Sequence, residues 1–173
     1  MSPTEVAGRR RGREAALQML YQAEVGKTDL DSVIVYAESA EVAEDAEAEG
    51  GAEDTEPGGT KAGLAEAEDP EAPRRLPPAL REFANALARG TRERMPEIDR
   101  LLDAHAQNWR LERMAVIDRL VLRLAVYELL ARPETPARVV INEAIELART
   151  FSTEESVGFV NGILDAVRKD VQR

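Results

Sequence analysis

From Leu111 to Ala131 the chain carries Ile117, Leu120, Val121, Leu122, Leu124, Ala125, Val126, Leu129 and Leu130, an apolar set that covers nearly the whole circumference of a helix. A helix that is hydrophobic all round has to be enclosed by other elements, so this stretch is expected to form the buried centre of the fold. Pro133 and Pro136 end it, because a proline nitrogen cannot donate and the residue before it is pushed out of the helical region.

The remaining apolar residues recur at helical spacing. Ala16, Leu17, Leu20, Tyr21 and Ala23 predict a helix over 13–25, stopped by Gly26. Leu30, Val33, Ile34 and Ala37 form a second stripe behind a Thr28 or Asp29 cap. A third holds Leu80, Phe83, Ala84, Leu87 and Ala88, with Gly90 as its stop, and Pro96 opens a fourth with Ile98, Leu101, Leu102 and His105. A helix over 137–151 turns Val140, Ala144, Leu147, Ala148 and Phe151 inward. Ser152 and Glu155 read as a capping box for a last helix with Val160, Ile163, Leu164, Val167 and Val171. The fold class is all-α.

Aromatics are only 4% of the 173 residues and cysteine is absent, which removes disulfides, thiolate metal sites and a cysteine nucleophile. No span or signal sequence is visible, so a reducing cytoplasm is expected. The net charge of -10 is confined to one segment. Residues 41–72 hold twelve acidic side chains against Lys61, a net of -11, and the other 141 residues carry a net of +1. The segment 41–77 is rich in Glu, Ala, Gly and Pro and is expected to be a disordered acidic loop, with a frayed helix over 41–49. It reads as a solvated spacer, or as a weak competitor for nearby cations. The chain is expected to be a single domain of 1–173, with N-terminal helices over 9–40, middle helices over 78–131 and C-terminal helices over 137–171.

Arg9, Arg10, Arg11 and Arg13 place four guanidinium groups within five residues at the predicted entrance of the first helix, where the helix dipole disfavours cations. A phosphate would justify them: arginine forks on an arm beside free backbone N–H groups make an anion site. Phe159, at the edge of the last stripe, could stack on an unpaired base, although a core role is the simpler reading. His105 reads as a partly buried structural residue and Trp109 as a core anchor. Glu112, Asp118, Glu128, Glu143 and Glu146 show no metal-ligand spacing and read as solvated faces; neither metal nor cofactor is expected.

RRRGREAALQMLYQ at 9–22, RLVLRLAVYELL at 119–130, VINEAIELARTFSTEES at 140–156 and FVNGILD at 159–165 together resemble the NusB family of bacterial transcription antitermination factors. The resemblance implies two small helical bundles packed as one unit, of about three and three to four helices. It implies binding to boxA, a single-stranded segment of ribosomal RNA leaders, together with NusE, a small-subunit ribosomal protein, and through them contact with other Nus factors and RNA polymerase. It assigns Arg9, Arg10, Arg11, Arg13, Glu155 and Phe159 to RNA, and Tyr21, Glu112 and Asp118 to an outward-facing NusE surface. Asn142, Asn161 and Gly162 match its motifs, and structural roles are expected for them, with close helix approach at Gly162. The long acidic segment departs from the family pattern. Two other readings are a helical protein adaptor or homodimer without RNA specificity, and the accessory domain of a ribosomal RNA methyltransferase. The second needs a cysteine and an α/β domain that these residues do not supply.

Overall fold

The computed structural model describes residues 3–49, 76–106 and 111–171. Trp109 and most of the acidic segment lie outside the described residues. The helices are α1 (Pro3–Gly26), α2 (Leu30–Glu49), α3 (Pro78–Glu93), α4 (Met95–His105), α5 (Val116–Ala131), α6 (Ala137–Phe151) and α7 (Glu154–Val171), with a 3-10 turn at Leu111–Arg113 before α5. No strand occurs among the described residues. The fold is all-α.

The apolar circumference of α5 is enclosed by α1, α3, α4, α6 and α7. Its residues from Leu120 to Val126 are all buried, including Arg123. Each leucine taken fully out of water there contributes about 1.5–3 kcal/mol before ordering costs. On one side, Leu17, Ile34 and Leu87 of α1, α2 and α3 close the core; on the other, Val140, Leu147, Val160 and Leu164 of α6 and α7 do so.

Five elements differ from their sequence patterns, the first being α2, which runs unbroken to Glu49 across the expected boundary at 40 between helix and acidic loop. The central helix starts at Val116, after the 3-10 turn, and not at Leu111. α1 begins at Pro3, ten residues before the expected start, with proline at a first-turn position that has no use for its missing N–H. α3 runs through Gly90, which is not a stop: a Cβ there would fall 2.0 Å from the Tyr127 hydroxyl oxygen, so the glycine makes room for an α5 side chain. Phe151, at the last position of α6, is exposed where an inward ring was expected.

The turn between α1 and α2 uses Lys27 at φ 50° and the Asp29 carboxylate, which accepts the Ser32 N–H at 3.2 Å, so Asp29 is the cap. His105 is half-buried, its Nε2 3.4 Å from Asp170, in keeping with a structural role.

Candidate nucleic-acid interface

Because α1 starts so early, the four arginines sit in the middle of a helix, and the flexible arm beside unpaired N–H groups does not exist. What positions them is the packing of α1 on α3, α5 and α6-borne carboxylates. Gly12 makes that contact possible. A Cβ there would lie 2.7 Å from Cδ1 of Phe83, so its absence lets the α3 ring approach α1 beside the arginines.

Each arginine has a separate environment. Arg9 sits with its Cζ 5.5 Å from the centre of the Phe83 ring, and Arg13 and Arg132 approach the same ring at 5.7 Å. Such contacts are worth about 0.5–1 kcal/mol at exposed sites. Arg10 donates from Nε to Glu143 Oε2 at 3.2 Å and from Nη2 to Oε1 at 3.0 Å, while its Nη1 lies 3.7 Å from Glu146. That bonding to Glu143 raises the affinity of Arg10 for its proton above the usual guanidinium value. Arg11 is half-buried. Arg13 is buried, gripped by Glu128 and 3.7 Å from Glu143.

The buried position of Arg13 conflicts with its expected exposure to phosphate. Glu128 and Glu143 are likewise buried ion-pair partners and not solvated faces. A signal for this lay in the sequence: Arg13 stands three, four and seven residues before Ala16, Leu17 and Leu20, inside the apolar stripe of its own helix.

Glu155 and Phe159 lie on α7, Glu155 exposed and Phe159 half-buried against the core. α6, which carries the partners of Arg10, packs along α7. Asn142 and Asn161 are exposed, and nothing approaches within 4 Å of a Cβ built on Gly162, so the expected close helix contact is absent there. Ser152 Oγ lies 3.1 Å from Ser156 Oγ, and Ser156 in turn donates to Asp118 at 2.9 Å.

The second expected surface is only partly assembled. Tyr21 is 39% exposed and Glu112 is exposed, but Asp118 faces inward, buried and bonded to Ser156. Near Glu112 lies a groove of about 560 Å³ lined by Glu24, Asp99, Asp103, Leu111, Arg119 and Arg123. Arg123 donates to Asp99 at 2.8 and 2.9 Å and to Glu24 at 3.1 Å; Arg119 donates to Glu24 and, at 3.1 Å, to the Leu111 carbonyl. These ties, unforeseen from the sequence, fasten the end of α1 to α4 and α5. Among the described residues no cluster of His, Asp or Glu could hold a metal ion, and no helix is long and apolar enough to cross a membrane.

These features define an all-α protein whose first helix carries a row of arginines, two of them paired with buried carboxylates of α5 and α6. The family model for NusB matches residues 52–169. The transcription antitermination protein NusB of Koribacter versatilis is 39% identical over 163 residues, covering 94% of this chain and 90% of the relative. That of Symbiobacterium thermophilum is 41% identical over 159 residues, covering 92% and 88%. The solved structure of T. maritima NusB superposes with a TM-score of 0.68 at 33% identity, over 94% of this chain and 91% of that one. A structure of the antitermination factors NusB and NusE with double-stranded RNA shares the fold at a TM-score of 0.66 and 20% identity, over 95% and 98%. The chain belongs to the NusB family.

Proposed function

We propose that this protein is a transcription antitermination factor that binds boxA-type single-stranded RNA together with NusE and promotes ribosomal RNA transcription. It works by recognition without chemistry, in the cytoplasm, and reaches other Nus factors and RNA polymerase through its two ligands. The carrying observation is the row of guanidinium groups on α1, in a family whose relatives are antitermination proteins and one of whose structural neighbours was solved with NusE and RNA.

Arg9, Arg10 and Arg11 neutralise phosphates, and the α7 edge with Glu155 and Phe159 sorts bases. Arg13 supports from below by fixing α1 to α5. Tyr21 and Glu112 belong to the NusE-facing surface, with Asp118 bracing it from within. If the two ligands strengthen each other, linkage requires the effect to be equal in both directions.

The internal pairing of Arg10 and Arg13 with carboxylates favours one rival, a protein adaptor whose arginines are structural. Titrating the protein with a boxA-type RNA and a scrambled RNA, each with and without NusE, separates the two. A preference for boxA that persists at moderate salt supports RNA recognition; equal affinity for both RNAs sinks it.

A further inference from the structure

We propose that Glu143 is a positioning residue for RNA binding: it holds the Arg10 guanidinium along its Nε/Nη2 edge and so leaves the Nη1/Nη2 edge for a phosphate. This rests on the reading of α1 as the RNA-facing helix.

A guanidinium group offers two hydrogen-bonding edges that suit a two-oxygen anion, and only one of them is used by Glu143, through bonds of 3.2 and 3.0 Å. The carboxylate is 5% exposed and the arginine 41%, so Glu143 grips Arg10 from the buried side while the arginine itself reaches solvent. Glu143 is itself fixed. It lies 3.7 Å from Arg13, whose other edge is held by Glu128, so charges alternate from the core outward as Glu128, Arg13, Glu143 and Arg10, drawn from α5, α1 and α6. An arginine side chain ordinarily loses much rotamer freedom when it meets a phosphate; here the loss is taken on folding, before RNA arrives.

Glu146 has a different relation to the same group. It lies 3.7 Å from Nη1, beyond hydrogen-bonding distance, and is already bonded to Arg149 at 2.5 Å. A phosphate arriving at the open edge therefore displaces no hydrogen bond to Glu146.

The test titrates a fluorescent single-stranded RNA oligonucleotide into the full chain and into E143D, E143Q and E146Q, each also combined with R10Q, with melting temperatures recorded for all. E143D keeps the charge but loses the reach, so a pure field effect predicts no change for it. The positioning role predicts that E143D and E143Q weaken RNA binding by about two- to tenfold, the cost of ordering one free side chain. It also predicts that E146Q does not weaken binding, and that the Glu143 effect vanishes in the R10Q background. Binding by E143D equal to or tighter than that of the unaltered protein overturns the proposal, as does a loss that is the same size with and without Arg10. If R10Q alone leaves RNA affinity unchanged, the RNA-facing reading of α1 falls as well. If R10Q weakens binding while both Glu143 variants do not, only the positioning role falls.

Discussion

Arg13 and Glu128, 115 positions apart, join α1 to α5 through bonds of 2.8 Å from Nε and 2.8 Å from Nη2, with both side chains under 5% exposed. Removing one member of such a buried pair leaves an uncompensated charge, which costs about 3–5 kcal/mol, whereas apolar replacement of both is close to neutral. Glu128→Ala is therefore expected to lower unfolding stability by about 3–5 kcal/mol, and Arg13→Met combined with Glu128→Leu to recover most of it. Urea denaturation of the three proteins checks this; no loss in the single variant would contradict it.

Gly90 faces the Tyr127 ring so closely that any side chain must move it. Gly90→Ala gains helix propensity but forces α3 and α5 apart or turns the tyrosine out, and overpacking of this kind costs about 1–3 kcal/mol. A melting temperature at or above that of the unaltered protein would show that the ring relaxes freely.

Gly162 presents the opposite case, since its face is open. Gly162→Ala is expected to stabilise the protein by about 0.5–1 kcal/mol. Calorimetry on the variant tests it, and a destabilisation would mean that a neighbour uses that space.

Glu14 has its carboxyl pushed above the usual carboxylate range, chiefly by burial, with Arg10 and Arg11 opposing the shift. A carboxyl that binds its proton more tightly when folded costs stability once ionised, and that cost is absent below the unfolded pKa. Glu14→Gln should thus be the more stable protein at neutral pH, with the difference closing as pH falls through the raised value toward the ordinary one. Denaturation curves across that range would reject the assignment if the gap widened on acidification.

Three phosphate contacts by Arg9, Arg10 and Arg11 give a slope of log K against log salt of about -2 for single-stranded RNA, and Arg9→Gln should flatten it by about 0.7. Binding measured at several salt concentrations decides the matter. A slope unchanged by the substitution would remove Arg9 from the contact set.

The helices were legible because burial imposes a 3.6-residue period, and Leu17, Leu87, Ile98, Leu120 and Leu164 all fall where that period puts them. The start of α1 was not, since residues 3–12 carry no apolar stripe and only Pro3 marks a beginning. Gly90 was misread because propensity alone treats a glycine near the end of a pattern as a stop, while its reason is a tyrosine 37 positions away. The charged residues were the hardest to place. Glu128 and Glu143 look like any helix-surface carboxylate until the partner from α1 is known, and Asp118 likewise until Ser156 of α7 is seen to donate to it. Of the residues expected to meet RNA, the arginine run is plain in the sequence, but that Arg13 is buried in an ion pair is not.

The ring of Phe83 holds Arg9 without accepting any of its protons in a conventional hydrogen bond. A cation held over a ring keeps its full charge, since the ring brings no counter-charge of its own. Aromatic tethering, unlike a carboxylate clasp, thus gives order without neutralisation, the combination that the proposed RNA-facing row on α1 calls for.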